Sequence, residues 1–84
     1  MKWRVVVARS AEKELAKLST QNQLRVARSL RSLEDNPFSV TAKRLKGRQE
    51  FRLRVGDYRV LYVVEHKSRS VTISAIGHRR EVYR

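Results

Sequence analysis

The stretch from residue 51 to residue 64 alternates and then stops alternating. Phe51, Leu53 and Val55 are separated by Arg52 and Arg54, Gly56-Asp57 follows, and Tyr58-Arg59-Val60-Leu61-Tyr62-Val63-Val64 then carries apolar side chains at successive positions. Neighbouring side chains on a strand point to opposite faces. The first run is therefore a strand with one apolar face and one arginine face. The second is apolar on both sides, which is the condition of a central strand. Gly56-Asp57 predicts a tight turn between them, and the alternation then puts Arg59 on the face of Arg52 and Arg54. The apolar face needs a second layer over it. That layer has to come from the rest of an 84-residue chain.

The N-terminal half can supply it. Residues 2–7 alternate, with Trp3, Val5 and Val7 on one side and Lys2, Arg4 and Val6 on the other, which predicts a strand. Ser10 is expected to cap a first helix over about 11–18, with Glu12 and Glu14 near its positive end. Thr20 and Gln23 have the spacing of a capping box. A second helix over about 21–34 places Val26, Ala27, Leu30 and Leu33 on one face and stops before Asn36-Pro37. Residues 38–48 read as a loop with a basic end. Residues 65–69 form a polar turn, 71–76 a last strand, and 78–84 a short tail after Gly77. The expected fold is α+β in the order β-α-α-β-β-β. A helical hairpin packs on a small, mainly antiparallel sheet, in a single domain over residues 1–84.

Composition narrows the function. Lys and Arg number 20 against 8 Asp and Glu, giving a formal net charge of +12 and a pI near 11.3. A folded domain so basic implies a polyanionic partner. Arginine outnumbers lysine 14 to 6, and guanidinium forks match phosphate oxygens. There is no cysteine, and the two histidines lie far apart in sequence, so no metal site is expected. The longest apolar run, Val60 to Val64, is too short to cross a membrane. Arg9 interrupts the opening apolar stretch before it could act as a signal peptide. The cytoplasm is the expected compartment.

Two clusters can do chemistry. The first is Arg52, Arg54 and Arg59 on one sheet face. Arg59 in an otherwise apolar central strand requires a partner, either a phosphate or a carboxylate such as Asp57 or Glu50. The second is Gly77-His78-Arg79-Arg80-Glu81-Val82-Tyr83. His78 is suited to proton transfer near neutral pH, or is an exposed tail histidine. Tyr83 is an acid or base where cations lower its pKa, or an apolar anchor for the tail. Lys43, Lys46 and Arg48 are either backbone contacts to RNA or an ordinary basic loop.

Taken in order, Leu45-Lys46-Gly47, Phe51-Arg52-Leu53-Arg54, Gly56-Asp57-Tyr58-Arg59-Val60-Leu61-Tyr62 and Ile76-Gly77-His78-Arg79-Arg80-Glu81-Val82-Tyr83 resemble the RelE branch of the RelE/ParE toxin superfamily. The resemblance runs over nearly the whole chain. It implies the toxin of a type II toxin–antitoxin pair, a ribosome-dependent endonuclease that cuts mRNA in the A site by metal-free attack of the 2′-hydroxyl. It implies no cofactor, with an acidic antitoxin, the ribosome and mRNA as partners. By the same resemblance Arg59 and Arg79 hold the phosphate in the transition state, Arg52 and Arg54 orient the RNA, and Tyr83 transfers a proton or stacks on a base. His78 competes for the acid or base role. The best-known branch has lysines where this chain has Arg52 and Arg54. The alternative on the same fold is a ParE-like gyrase poison without enzymatic activity. A double-stranded-RNA-binding domain would need a long C-terminal helix for which this sequence has no room.

Overall fold

The computed structural model describes residues 2–38, 42–44 and 50–78, with 42–44 described through their backbone alone. The elements are β1 (Arg4–Val7), α1 (Arg9–Ala16), α2 (Thr20–Asp35), β2 (Ala42–Arg44), β3 (Glu50–Val55), β4 (Tyr58–Glu65) and β5 (Ser70–His78). They form an α+β fold with one sheet in the order β1-β5-β4-β3-β2. The β1–β5 pairing is parallel and the other three are antiparallel. The doubly apolar strand β4 is central, as its composition requires.

The strand order has one element more than the sequence predicts. Ala42–Arg44, read as loop, pairs antiparallel with β3, Lys43 opposite Arg52. Ala and Lys have low strand propensity, so this pairing is imposed by the neighbouring β3 edge. Both helices also start earlier than expected. Ala8 occupies the N-cap of α1 without a side-chain bond, while the Ser10 hydroxyl reaches the Ser74 carbonyl at 3.4 Å. Ser19, not Thr20, caps α2 by accepting from the Asn22 amide at 3.3 Å. The Gln23 side chain donates back to the Ala16 and Leu18 carbonyls, which fastens the α1–α2 connection.

The core lies between the helices and one sheet face. Ala11, Val26, Leu30 and Leu33 meet Phe51, Leu53, Val55, Val60, Tyr62, Val64, Val71, Ile73 and Ile76, all buried. Tyr62 has no exposed surface, and its hydroxyl donates to the Pro37 carbonyl at 2.6 Å. That bond ties the exit of α2 to the central strand. Burial pushes the Tyr62 phenol up to about 12, because the phenolate would lose its hydration.

One irregularity governs the far end of the sheet. The β4–β5 register shifts between Leu61 and Tyr62, so Leu61 pairs with Ala75 but Tyr62 with Ile73. Ser74 is the extra residue of a bulge, and its hydroxyl donates to the Leu61 carbonyl at 3.2 Å. Past a bulge, every following side chain changes face. Ile76 thereby reaches the core, and His78 follows it onto the helix-bearing side.

Candidate nucleic-acid interface

The sheet face away from the helices carries the arginines. Arg54 on β3 stands directly opposite Arg59 on β4, and Arg59 in turn stands opposite Gly77 on β5. The next row is Lys43, Arg52, Leu61 and Ala75 by register. Arg54 is exposed and Arg52 and Arg59 are half-buried. Like charges directly opposite on neighbouring strands repel. Among the described residues, neither Arg54 nor Arg59 has a carboxylate within 4 Å, so Asp57 and Glu50 do not neutralise Arg59. Among those residues the Arg59 guanidinium donates to the neighbouring Tyr58 carbonyl, at 3.4 Å. Two cations so placed raise the positive potential of this face. Gly77 puts no side chain at the position beside Arg59.

The β3–β4 turn adds a cation that the sequence reading missed. Gly56 has φ +60°, a left-handed conformation that favours glycine. A methyl group at Gly56 would lie 3.1–3.3 Å from three guanidinium atoms of Arg25. Arg25 of α2 therefore rests on the helix side of the turn whose other side carries Arg54 and Arg59. Nothing local in the sequence announces this, because helical spacing only places Arg25 off the apolar stripe.

The remaining expected site residues are dispersed or lie beyond the described residues. His78 pairs with Tyr58 and its ring meets the Tyr58 ring edge-on at 6.0 Å. The bulge thus separates His78 from the Arg59 face. Lys43 sits on β2 opposite Arg52, described through its backbone only. Arg79, Tyr83, Lys46 and Arg48 lie outside the described residues. Among the described residues no three His, Cys, Asp or Glu side chains gather to hold a metal ion. Nor is any described helix long and apolar enough to cross a membrane.

Known proteins share this fold. The family model described as the ParE toxin of type II toxin–antitoxin systems matches residues 5–83. A Methanocaldococcus jannaschii protein named as toxin RelE1 is 33% identical over the whole of this chain and 98% of its own length. The RelBE2 toxin–antitoxin complex of Mycobacterium tuberculosis contains a chain similar at TM-score 0.82 and 26% identity, over 94% of this chain and all of that one. The RelE–RelB complex of Pyrococcus horikoshii matches at TM-score 0.82 and 26% identity, over 98% of this chain and all of that one. The chain belongs to the RelE/ParE superfamily, the toxins of type II toxin–antitoxin systems. Its five-strand sheet under a helical hairpin is the RelE fold, which the isolated Escherichia coli RelE toxin shares at TM-score 0.81.

Proposed function

We propose that this toxin is a ribosome-dependent endoribonuclease that cuts mRNA in the A site without a metal ion. The observation that carries the reading is the Arg54–Arg59 pair, cross-strand neighbours that no described carboxylate neutralises. In the cleavage the ribose 2′-oxygen attacks the adjacent phosphorus and loses its proton to a base. The P–O5′ bond breaks, leaving a 2′,3′-cyclic phosphate, and an acid protonates the departing 5′-oxygen. Arg59 takes the negative charge that grows on the phosphorane oxygens. Arg52 and Arg54 hold the flanking phosphates. Arginine stays protonated at any working pH, so these three side chains supply charge and not proton transfer. Arg79 as a further phosphate contact and Tyr83 as the proton-transfer or stacking residue complete the proposal. His78, on the other sheet face, is a weaker candidate for the acid. Lys43, Lys46 and Arg48 bind RNA backbone.

The natural inhibitor is an acidic antitoxin laid across the helical hairpin and sheet, in keeping with the RelB-bound state of the similar solved structures. The cytoplasm, where ribosomes and message meet, is the compartment of this activity. A gyrase poison is the second reading, favoured by the ParE description of the matching family model.

Primer extension on a defined message, with and without programmed ribosomes, tests the first reading. Cuts at the A-site codon are expected only with ribosomes. Arg59→Ala should lower their rate by about 100-fold or more, the usual effect of removing one preorganised charge-stabilising donor. An intact message under conditions where an established ribosome-dependent nuclease cuts would refute the nuclease reading. Inhibition of gyrase supercoiling by the same preparation would then establish the second.

A further inference from the structure

Helix α2 carries a row of arginines that neither the core nor the sheet face uses. Arg25, Arg28 and Arg31 follow one another at intervals of three residues, and all three are exposed. Such a row runs obliquely across a helix and covers about 9 Å of its axis. It begins at the β3–β4 turn, where the Arg25 guanidinium packs against Gly56. From there it crosses the outer surface of α2, since Val26, Leu30 and Leu33 are the residues turned to the core. Arg54 and Arg59 stand on the two strands that this turn joins. The cations of the sheet face and those of α2 therefore approach each other around a single turn.

The charges of α2 are ordered against the stability of the helix itself. Like charges three residues apart repel. From Thr20 to Leu33 the helix has no acid, and Glu34 and Asp35 come at its end, where the helix dipole disfavours a carboxylate. Among the described residues none of the three arginines has a carboxylate within 4 Å, the ion pair found there being Lys17 with Glu14. The Glu34 carbonyl accepts from the Trp3 amide, so the acidic end of α2 lies by the start of β1 and away from the turn. A pattern that breaks local rules in an otherwise consistent fold points to a function.

We propose that Arg25, Arg28 and Arg31 bind the sugar–phosphate backbone of paired RNA, and so carry the phosphate-binding surface from the sheet face around the β3–β4 turn onto α2. The choice of RNA rests on the reading of this toxin as an RNA-directed one. The call for a polyanion does not, because it comes from the local, unneutralised charge of the row. Paired RNA is selected over single strands because α2 has no aromatic side chain. Single strands bound without sequence preference are held by stacking on rings as well as by charge. A duplex turns its bases inward and offers phosphates and 2′-hydroxyls, and guanidinium forks match phosphate oxygens in pairs. An acidic protein segment would meet the same charges, but it would also cover Leu24, which is 58% exposed and one turn before Arg28.

The readout is the fluorescence anisotropy of a labelled RNA hairpin with a fully paired stem, titrated with the intact chain at several salt concentrations. Changing one arginine of the row to glutamine should lower the slope of log affinity against log salt by about one, and changing all three by about three. Helix content and Tm should hold or rise, because only exposed, mutually repelling charges are removed. An unstructured oligoribonucleotide of equal length should lose less affinity than the hairpin in the triple variant. Leu24→Ser should leave hairpin binding as it is. Arg59→Ala should slow cleavage and keep the share of the slope that belongs to the row. A chain that binds the hairpin through α2 yet cuts no message therefore refutes the nuclease reading alone. A wild-type slope in the triple variant, or equal losses for hairpin and unstructured oligomer, would overturn the proposal. So would a loss in Leu24→Ser as large as in the arginine variants. A triple variant that holds the hairpin like the wild type but no longer binds a labelled poly-glutamate peptide would assign α2 to an acidic protein instead.

Discussion

Tyr62 shows how much one side chain can be asked to do in so small a core. It fills the centre of the sheet's helix-facing side, stacks on Phe51 at 5.5 Å, and gives its hydroxyl proton to the carbonyl of Pro37. Tyr62→Phe keeps the ring but leaves that buried carbonyl without its donor. A loss of about 1–3 kcal/mol is expected, read as a lower midpoint in urea. The pH dependence follows from the raised phenol. The folded chain keeps the Tyr62 proton up to about 12, against 10.0 for an unperturbed phenol. The unfolded chain therefore releases it first. This contribution is whole below pH 10 and disappears as pH rises through 12. Urea midpoints measured across that window should fall more steeply for the wild type than for Tyr62→Phe.

Between elements, the β3–β4 ladder sets two cations against each other. Replacing Arg54 by Gln removes the repulsion across the pair and should stabilise the free toxin by roughly a few tenths of a kcal/mol. The same variant should bind RNA less tightly and show a shallower dependence of affinity on salt, by about one unit in the log–log slope. Gain in stability with loss of binding is the signature of residues placed for a ligand and not for the fold. This ladder was largely legible in the sequence. Phe51, Leu53 and Val55 alternate cleanly, Gly56-Asp57 marks the turn, and the period of two then aligns Arg59 with Arg52 and Arg54. The central place of β4 could be read from its consecutive apolar residues. Three features could not. Ala42–Arg44 has no strand character of its own and becomes a strand through its partner. The bulge at Ser74 needs no recognisable residue type, yet it turns His78 away from the arginines. His66 looks like an ordinary turn residue until Trp3 and Phe38, distant in sequence, are brought to it. Local periodicity reports which side of an element is apolar. It is silent about insertions of one residue and about contacts that only the tertiary fold creates.

Over the whole molecule, a charge of +12 is spread on a chain whose Cα radius of gyration is 11.9 Å. Charges this crowded repel one another in the compact state. Raising NaCl from about 0.01 M to about 0.15 M shortens the screening length from about 30 Å to about 8 Å, and Tm of the free toxin should rise. A gain of about 1 kcal/mol would appear as about 4–8 °C by calorimetry. An unchanged or falling Tm would show that self-repulsion contributes little to the stability of the free toxin. The topology has a consequence in time as well. β1 enters the sheet only through β5, with Arg4 paired to Ser70, 66 residues later. Contacts between α1 and the sheet also fall on β5, beginning with Ser10 and Ser74. During synthesis, β1, both helices and the arginine strands therefore all emerge before the strand that joins them. A growing chain can gather its arginines on the β3–β4 hairpin before β5 exists. Its first strand, made before any of them, gains a place in the sheet only after residues 70–78 have been joined.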